Sequence, residues 1–263
     1  MKTRHIALLS DFGMNEPFVG AMKGVILSAA PGTAIIDITH QIPPQDIRTA
    51  SFYLMSSMGY MPKGTLFLVV VDPHVGTGRG IIWARTANYQ FVCPDNGLIS
   101  WVEEKEPITE VRFISNASLF LPRISPTFHG RDIMAPVAAA VAKGLPEKKL
   151  GPVFREYRRF PLPAPERAGP RVNGEIIAVD NFGNAVSNIK QQQINARAIF
   201  TVAGRVLKGL KLTYASVAEG EPLALIGSFG YLEFSVRNGS FARSFNVKIG
   251  DKVEAIVSID EQI

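Results

Sequence analysis

Asp72 and Arg79 are the first residues whose types and spacing suggest chemistry. They stand seven positions apart in VVDPHVGTGR, with Gly76-Thr77-Gly78 between them. A carboxylate can orient a water or accept its proton, and a fixed guanidinium can stabilise developing negative charge. His129, in TFHGRD, is a third candidate. It lies just before an apolar, Ala-rich helix expected to run to Lys143, where backbone N–H groups and the helix dipole favour negative charge. Asp11 closes the run IALLS and puts a second acid at a strand end. The residues alone leave a plainer reading open, in which Asp72 makes a turn and Arg79 and His129 are solvated.

The elements around these residues decide where they stand. Leu66 to Val71 is six apolar residues ending in three valines, a pattern that fits a strand buried on both faces, and Asp72-Pro73 ends it. Strands are expected at Ile6–Ser10 and Ala34–Ile38, helices at Pro17–Ala30 and Asp46–Tyr60, and a strand pair at Gly80–Thr86 and Tyr89–Pro94. Alternating strands and helices with short links imply βαβ units and a mostly parallel sheet. In such sheets ligands sit beyond the carboxyl ends of the strands, which is where Asp11 and Asp72 fall.

From Arg155 to Arg171 four prolines and five arginines read as a linker. Beyond it the helical pattern stops. Apolar segments at Glu175–Val179, Ala198–Val202, Leu223–Ile226, Leu232–Val236 and Val253–Ile259, separated by Gly-containing turns, suggest a small all-β barrel or sandwich. The expected division is an N-terminal α/β domain at residues 1–160 and a C-terminal all-β domain at residues 171–263.

Composition narrows the function classes. Hydrophobic residues make up 46% and charged residues 19%, which describes a well-cored globule. No apolar run reaches the length of a membrane span, and the N-terminus runs into a strand with no signal-peptide pattern, so no membrane partner is expected. The single cysteine, Cys93, excludes an internal disulfide or a CxxC metal site, and a reducing, cytoplasmic location is the default. Cys93 itself reads as core. The net charge of +5 is mild and unclustered, so nucleic acid is not an expected partner.

No GxGxxG, GxxxxGK[ST] or GxSxG spacing is present. His40, His74, His129, Asp11 and Asp72 come without a ligand-spacing motif, so no metal is expected, although a metal-dependent hydrolase using them stays a rival. In the β-rich half, Asp180-Asn181-Phe182-Gly183-Asn184 sets hydrogen-bonding side chains around an aromatic face, as a purine site does, or makes a plain hairpin turn. A non-enzymatic nucleoside- or RNA-binding protein is therefore a further alternative.

Taken together, SDFG (10–13), DITHQIPPQDI (37–47), VVDPHVGTGR (70–79), PDNGL (94–98), TFHGRD (127–132), DNFGN (180–184) and GSFGYLE (227–233) resemble the S-adenosyl-L-methionine (SAM) hydrolases. These are also called SAM hydroxide adenosyltransferases and are relatives of the fluorinating and chlorinating enzymes. The likeness spans both halves in order. It implies an N-terminal α/β domain with a C-terminal β-barrel, and a homotrimer with substrate at subunit interfaces. It also implies hydrolysis of SAM to adenosine and L-methionine with no cofactor. Carried over residue by residue, it makes Asp72, Arg79 and His129 the catalytic set and places Asp11 at the ribose hydroxyls. Asp180, Phe182 and Asn184 would serve the methionine and adenine ends, the backbone near Asn238 the base, and Ser228 and Glu233 the amino-acid part. Two departures stand out: His74 where the family more often has Gly, and Ser240-Phe241 where Asn-Ala is more usual.

Overall fold

A computed structural model describes residues 5–257, which divide into two compact units, 5–161 and 162–257. The N-terminal unit is a three-layer sandwich. In order, it contains β1 (His5–Ser10), α1 (Phe18–Ala29), β2 (Ala34–Thr39), α2 (Ile47–Met58), β3 (Leu66–Val70), β4 (Ile81–Arg85), β5 (Gln90–Pro94), α3 (Ser100–Lys105), β6 (Glu110–Phe113) and α4 (Ala135–Ala142). The sheet order is β2-β1-β3-β5-β4-β6. The first four strands are parallel, and β4 and β6 are antiparallel to their neighbours.

Every residue of β3 is buried, as its unbroken apolar run requires. Because side chains alternate across a strand, Leu66, Leu68 and Val70 pack with α1 and α4, whereas Phe67, Val69 and Val71 pack with α2 and α3. Local signals set the helix ends. Pro17 precedes the first residue of α1, and Asp46 caps α2 by accepting the Thr49 N–H at 3.0 Å. Ser10 pairs with Val70 across the β1–β3 ladder, so Asp11 and Asp72 leave the sheet at the same edge.

The expected linker is shorter than its composition suggests. The Arg158 N–H donates to Asp95 Oδ1 at 2.7 Å, the Phe160 N–H to Ser100 Oγ at 3.1 Å, and Arg159 Nε to Glu103 Oε2 at 2.6 Å, so residues up to Pro161 are strapped onto the N-terminal unit. Proline made this stretch extended, and its polar groups found partners on α3 and the loop before it.

The C-terminal unit comprises β7 (Glu166–Ala168), β8 (Arg171–Val179), β9 (Ala185–Lys190), β10 (Ile199–Val202), β11 (Arg205–Lys208), β12 (Pro222–Ile226), β13 (Tyr231–Val236), α5 (Phe241–Phe245) and β14 (Lys252–Ile256). The strands run β11-β10-β14-β8-β9-β13-β12, with β7 beside β8. A bridge between Lys211 and Leu225, with the Lys211 N–H donating to Ala224 O at 2.8 Å, nearly closes this antiparallel sheet into a barrel. Phe200, Phe234 and Phe241 fill it. Each of the five apolar segments contains a strand, though residues 258–259 of the last lie outside the described residues. The expected set omitted β7, β9 and β11, of which β9 is the longest. Its Ser187 and Asn188 are polar but buried, and they are satisfied by the Leu232 carbonyl and the Glu175 N–H.

Candidate active site

Asp72 leaves the end of β3, and the chain turns at once. Val75 N–H donates to Asp72 O at 3.3 Å, and Thr77 N–H to His74 O at 3.2 Å. Gly76 has φ +80, and a Cβ there would lie 2.4 Å from the Pro126 carbonyl oxygen. Only glycine lets this loop lie against the 125–127 segment. His74, one of the two departures, is exposed and contributes its carbonyl to the turn.

The turn brings Arg79 back onto Asp72. Nε donates to Asp72 Oδ1 at 2.8 Å and Nη2 to Oδ2, a two-pronged match of guanidinium and carboxylate. The two side chains are only 3% and 5% exposed. Arg79 Nη2 also lies 3.3 Å from His129 Nδ1. A guanidinium has donors only, so Nδ1 accepts and the neutral imidazole keeps its proton on Nε2. Burial, then the positive charge of Arg79, holds His129 below its ordinary value; the charges of Asp72 and Asp132 oppose this.

His129 is aimed by an unusual helix start. The chain enters α4 through a π turn, Gly130–Met134. A Cβ on Gly130 would lie 3.1 Å from Val70, so glycine lets the turn approach the end of β3. Asp132 accepts from Arg131 Nε at 2.6 Å and from Ser125 N–H at 2.7 Å, tying the preceding loop to the turn. Phe128 packs edge-on against Phe12 and Phe18, beside Asp11 and at the start of α1. Asp11 Oδ2 accepts the Gln45 N–H at 2.9 Å, and Gln45 presents that N–H from a left-handed backbone, φ 66. Arg79 thus contacts both Asp72 and His129, and Asp11 stands at the same sheet edge. Among the described residues no three His, Cys, Asp or Glu side chains gather to hold a metal ion. Cys93 is fully buried in β5, and burial pushes its thiol far up, which suits a core residue.

The other expected residues lie in the C-terminal unit. Asp180 organises the DNFGN turn: Oδ1 accepts from the N–H groups of Phe182 (2.9 Å) and Asn184 (2.8 Å), and Oδ2 accepts from Asn184 Nδ2 at 2.9 Å. The turn is an Asx-type turn, as its composition allowed, and it presents Phe182 73% exposed. Gly183 abuts Ser240, because a Cβ on it would meet Ser240 Oγ at 1.9 Å. Ser240 caps α5 by accepting the Arg243 N–H, and Phe241 stacks on Phe234 in the core. The Ser240-Phe241 departure therefore has a structural role. Asn238 adopts φ 56 in the same segment, and Ser228 follows Gly227 in the turn between β12 and β13.

Glu233 is buried, and burial pushes its carboxyl up, assisted by Asp180; hydrogen bonds from Tyr214 Oη (2.8 Å) and Ser235 Oγ (2.9 Å) pull the other way. Tyr214 escaped the sequence reading because it sits in a loop with no motif. Burial, then its bond to Glu233, pushes its hydroxyl up. Gln45 was also missed; its role is purely backbone.

Residues 6–151 match the SAM hydroxide adenosyltransferase N-terminal domain, and residues 174–254 match the corresponding C-terminal domain. The chain is 36% identical over 260 residues to the (R)-S-adenosyl-L-methionine hydrolase of Thermus thermophilus, covering 96% of this chain and 100% of that protein. It is 28% identical over 282 residues to a fluorinase of an Actinoplanes species, covering 93% and 95%. A crystal structure of a Thermotoga maritima protein superposes with a TM-score of 0.90 at 36% identity, covering 95% of this chain and 99% of that one.

Proposed function

This chain belongs to the SAM hydroxide adenosyltransferase family, and on that premise we propose that Asp72, Arg79 and His129 direct water onto C5′ of the SAM ribose. The activity is hydrolysis of SAM to adenosine and L-methionine, and relatives of this chain carry the name (R)-S-adenosyl-L-methionine hydrolase. The observation that carries the residue assignment is the buried Arg79 fork, with Asp72 on one side and His129 on the other.

The water oxygen bonds to C5′ as the C5′–S bond breaks. The bonding pair stays on sulfur, which departs as a neutral thioether, so no acid need protonate the leaving group. The difficult step is making an oxygen nucleophile at neutral pH. Arg79 supplies positive charge that favours a hydroxide-like oxygen, Asp72 retains lone pairs to take the proton, and His129 offers Nε2–H to orient the oxygen. Asp11 holds the ribose hydroxyls. Asp180, Phe182, Asn184 and the backbone at Asn238 hold the methionine and adenine ends, and Ser228 and Glu233 lie at the amino-acid part. No metal or cofactor takes part in this scheme. The family resemblance and the exposed Phe182 support a homotrimer whose sites form between copies, and an active monomer in light scattering would refute that. A cytoplasmic location fits the single cysteine. Among the described residues no helix is long and apolar enough to cross a membrane.

The fluorinase relatives raise halide attack as a second reading. A halide beside the Asp72 carboxylate would set two anions together in a low-dielectric site, whereas water has a proton to give. A reaction in oxygen-18 water should place the label in the 5′-hydroxyl of adenosine. A 5′-halonucleoside formed in chloride or fluoride, or loss of turnover with a chelator that a divalent ion restores, would overturn the proposal.

A further inference from the structure

At the end of β1 a second set of polar side chains is closed on itself. Ser10 Oγ lies 2.7 Å from His40 Nδ1, His40 Nε2 lies 3.1 Å from Asp37 Oδ1, and Lys23 Nζ donates to Asp37 Oδ2 at 2.5 Å. Serine, histidine and aspartate in this order can generate a nucleophile when the serine faces a substrate. Here Ser10 is 2% exposed and ends a buried strand, so the set must do something else. A carboxylate only accepts, so His40 donates from Nε2 to Asp37, and in the neutral ring Nδ1 accepts the Ser10 hydroxyl proton. Each bond has one direction, and the imidazole plane is fixed at both nitrogens.

What these bonds surround is Asp11. His40 also accepts the Gly13 N–H on its carbonyl oxygen at 2.7 Å, and Ile42 N–H reaches Ser10 O at 3.4 Å. Ser10 Oγ faces the Phe12 N–H at 3.4 Å, and Gln45 N–H binds the Asp11 carboxylate itself at 2.9 Å. The 40–45 segment therefore grips the residues before and after Asp11 as well as its side chain. The left-handed backbone at Gln45 is a conformation that non-glycine residues seldom take, and it persists where surrounding contacts over-determine it.

We infer that His40 is a positioning residue for Asp11: through the Ser10 hydroxyl and its own carbonyl it fixes the 10–13 turn that aims the Asp11 carboxylate at substrate. The inference rests on the reading of Asp11 as a ribose-binding group and deepens it. Asp37 and Lys23 act one step further out, holding the ring.

Steady-state kinetics with SAM on the full chain tests this. His40→Asn keeps an acceptor near the Nδ1 position and so keeps Ser10, whereas His40→Gln carries its polar end toward Asp37 and loses Ser10. His40→Gln should raise KM about tenfold with kcat within about twofold, and His40→Asn should return KM to within about threefold of wild type. Asp11→Ala should raise KM at least as much, and adding His40→Gln to it should change KM by less than about twofold, because the two act as a unit. Ser10→Ala, a smaller change, should show the same non-additivity if His40→Gln fails to fold. If Asp11→Ala leaves KM unchanged, the ribose assignment fails and the inference falls with it. If Asp11→Ala raises KM but either second substitution multiplies it again in full, or the loss falls on kcat, positioning through Asp11 is refuted while the ribose assignment stands.

Discussion

Arg79→Met removes the guanidinium and keeps most of the apolar stem. Asp72 then remains as a carboxylate 5% exposed with its two-pronged partner gone. Breaking a buried pair from one side costs about 3–5 kcal/mol, because the remaining charge is neither solvated nor paired. Replacing both partners by apolar groups is close to neutral, so Asp72→Leu/Arg79→Met should recover most of that loss. Both tryptophans, Trp83 and Trp101, lie buried in the N-terminal unit, so their fluorescence reports on that unit in a urea titration. At a slope of about 2 kcal/mol per molar urea, the single substitution should lower the midpoint by about 1.5–2.5 M. Activity should separate from stability: kcat should fall about 10²–10³-fold in the single variant, as when a preorganised donor is removed, and the stable double variant should remain inactive. A single variant that loses less than about 1 kcal/mol, or a double variant no more stable than the single, would refute the picture of a buried, mutually dependent pair.

Other expectations follow from the same geometry. His129 is held below its ordinary value of 6.5, so the folded state resists its protonation. The resulting stability penalty is absent above pH 6.5, grows as pH falls from 6.5 to the folded value and is constant below it, so wild type and His129→Gln should differ in pH dependence only below 6.5. The acid limb of kcat/KM should also lie below that value, and Asp132→Asn, which removes a charge that raises His129, should move it lower; a limb above pH 7 would contradict this. Gly76→Ala should cost about 1–3 kcal/mol and reduce kcat, since its Cβ must displace the Pro126 carbonyl from a left-handed turn; an unchanged melting curve would count against that packing. Asp180→Ala removes the acceptor of three hydrogen bonds in the DNFGN turn and should raise KM more than it lowers kcat, with binding calorimetry as the check. Asp72→Ala should lower kcat far more than it weakens SAM binding, and calorimetry showing that binding is abolished in a folded variant would reverse that division of roles.

Periodicity and punctuation determined most of the elements by themselves. The unbroken Leu66–Val71 run specified a strand covered on both faces, because only such a strand needs no polar side, and Pro17, Asp46 and Asp72-Pro73 marked ends through local backbone chemistry. Strand ends in a parallel sheet share one edge, so the sequence pattern by itself puts Asp11 and Asp72 at the same edge, as the Ser10–Val70 register bears out. It could not show that Arg79 folds back onto Asp72, since that depends on Gly76 meeting the Pro126 carbonyl 50 residues later in the chain. It left the short elements α3, β6, β7, β11 and α5 unread, and also β9 and the length of the linker, where buried Ser187, Asn188 and the strapped arginines are satisfied by partners distant in sequence. The protonated nitrogen of His129, the left-handed Gln45 and the Ser10–His40–Asp37 relay were likewise decided by tertiary structure. Hydrogen-bond direction and burial are properties of pairs, and a pair separated by 30 or 50 residues leaves no periodic trace in either segment.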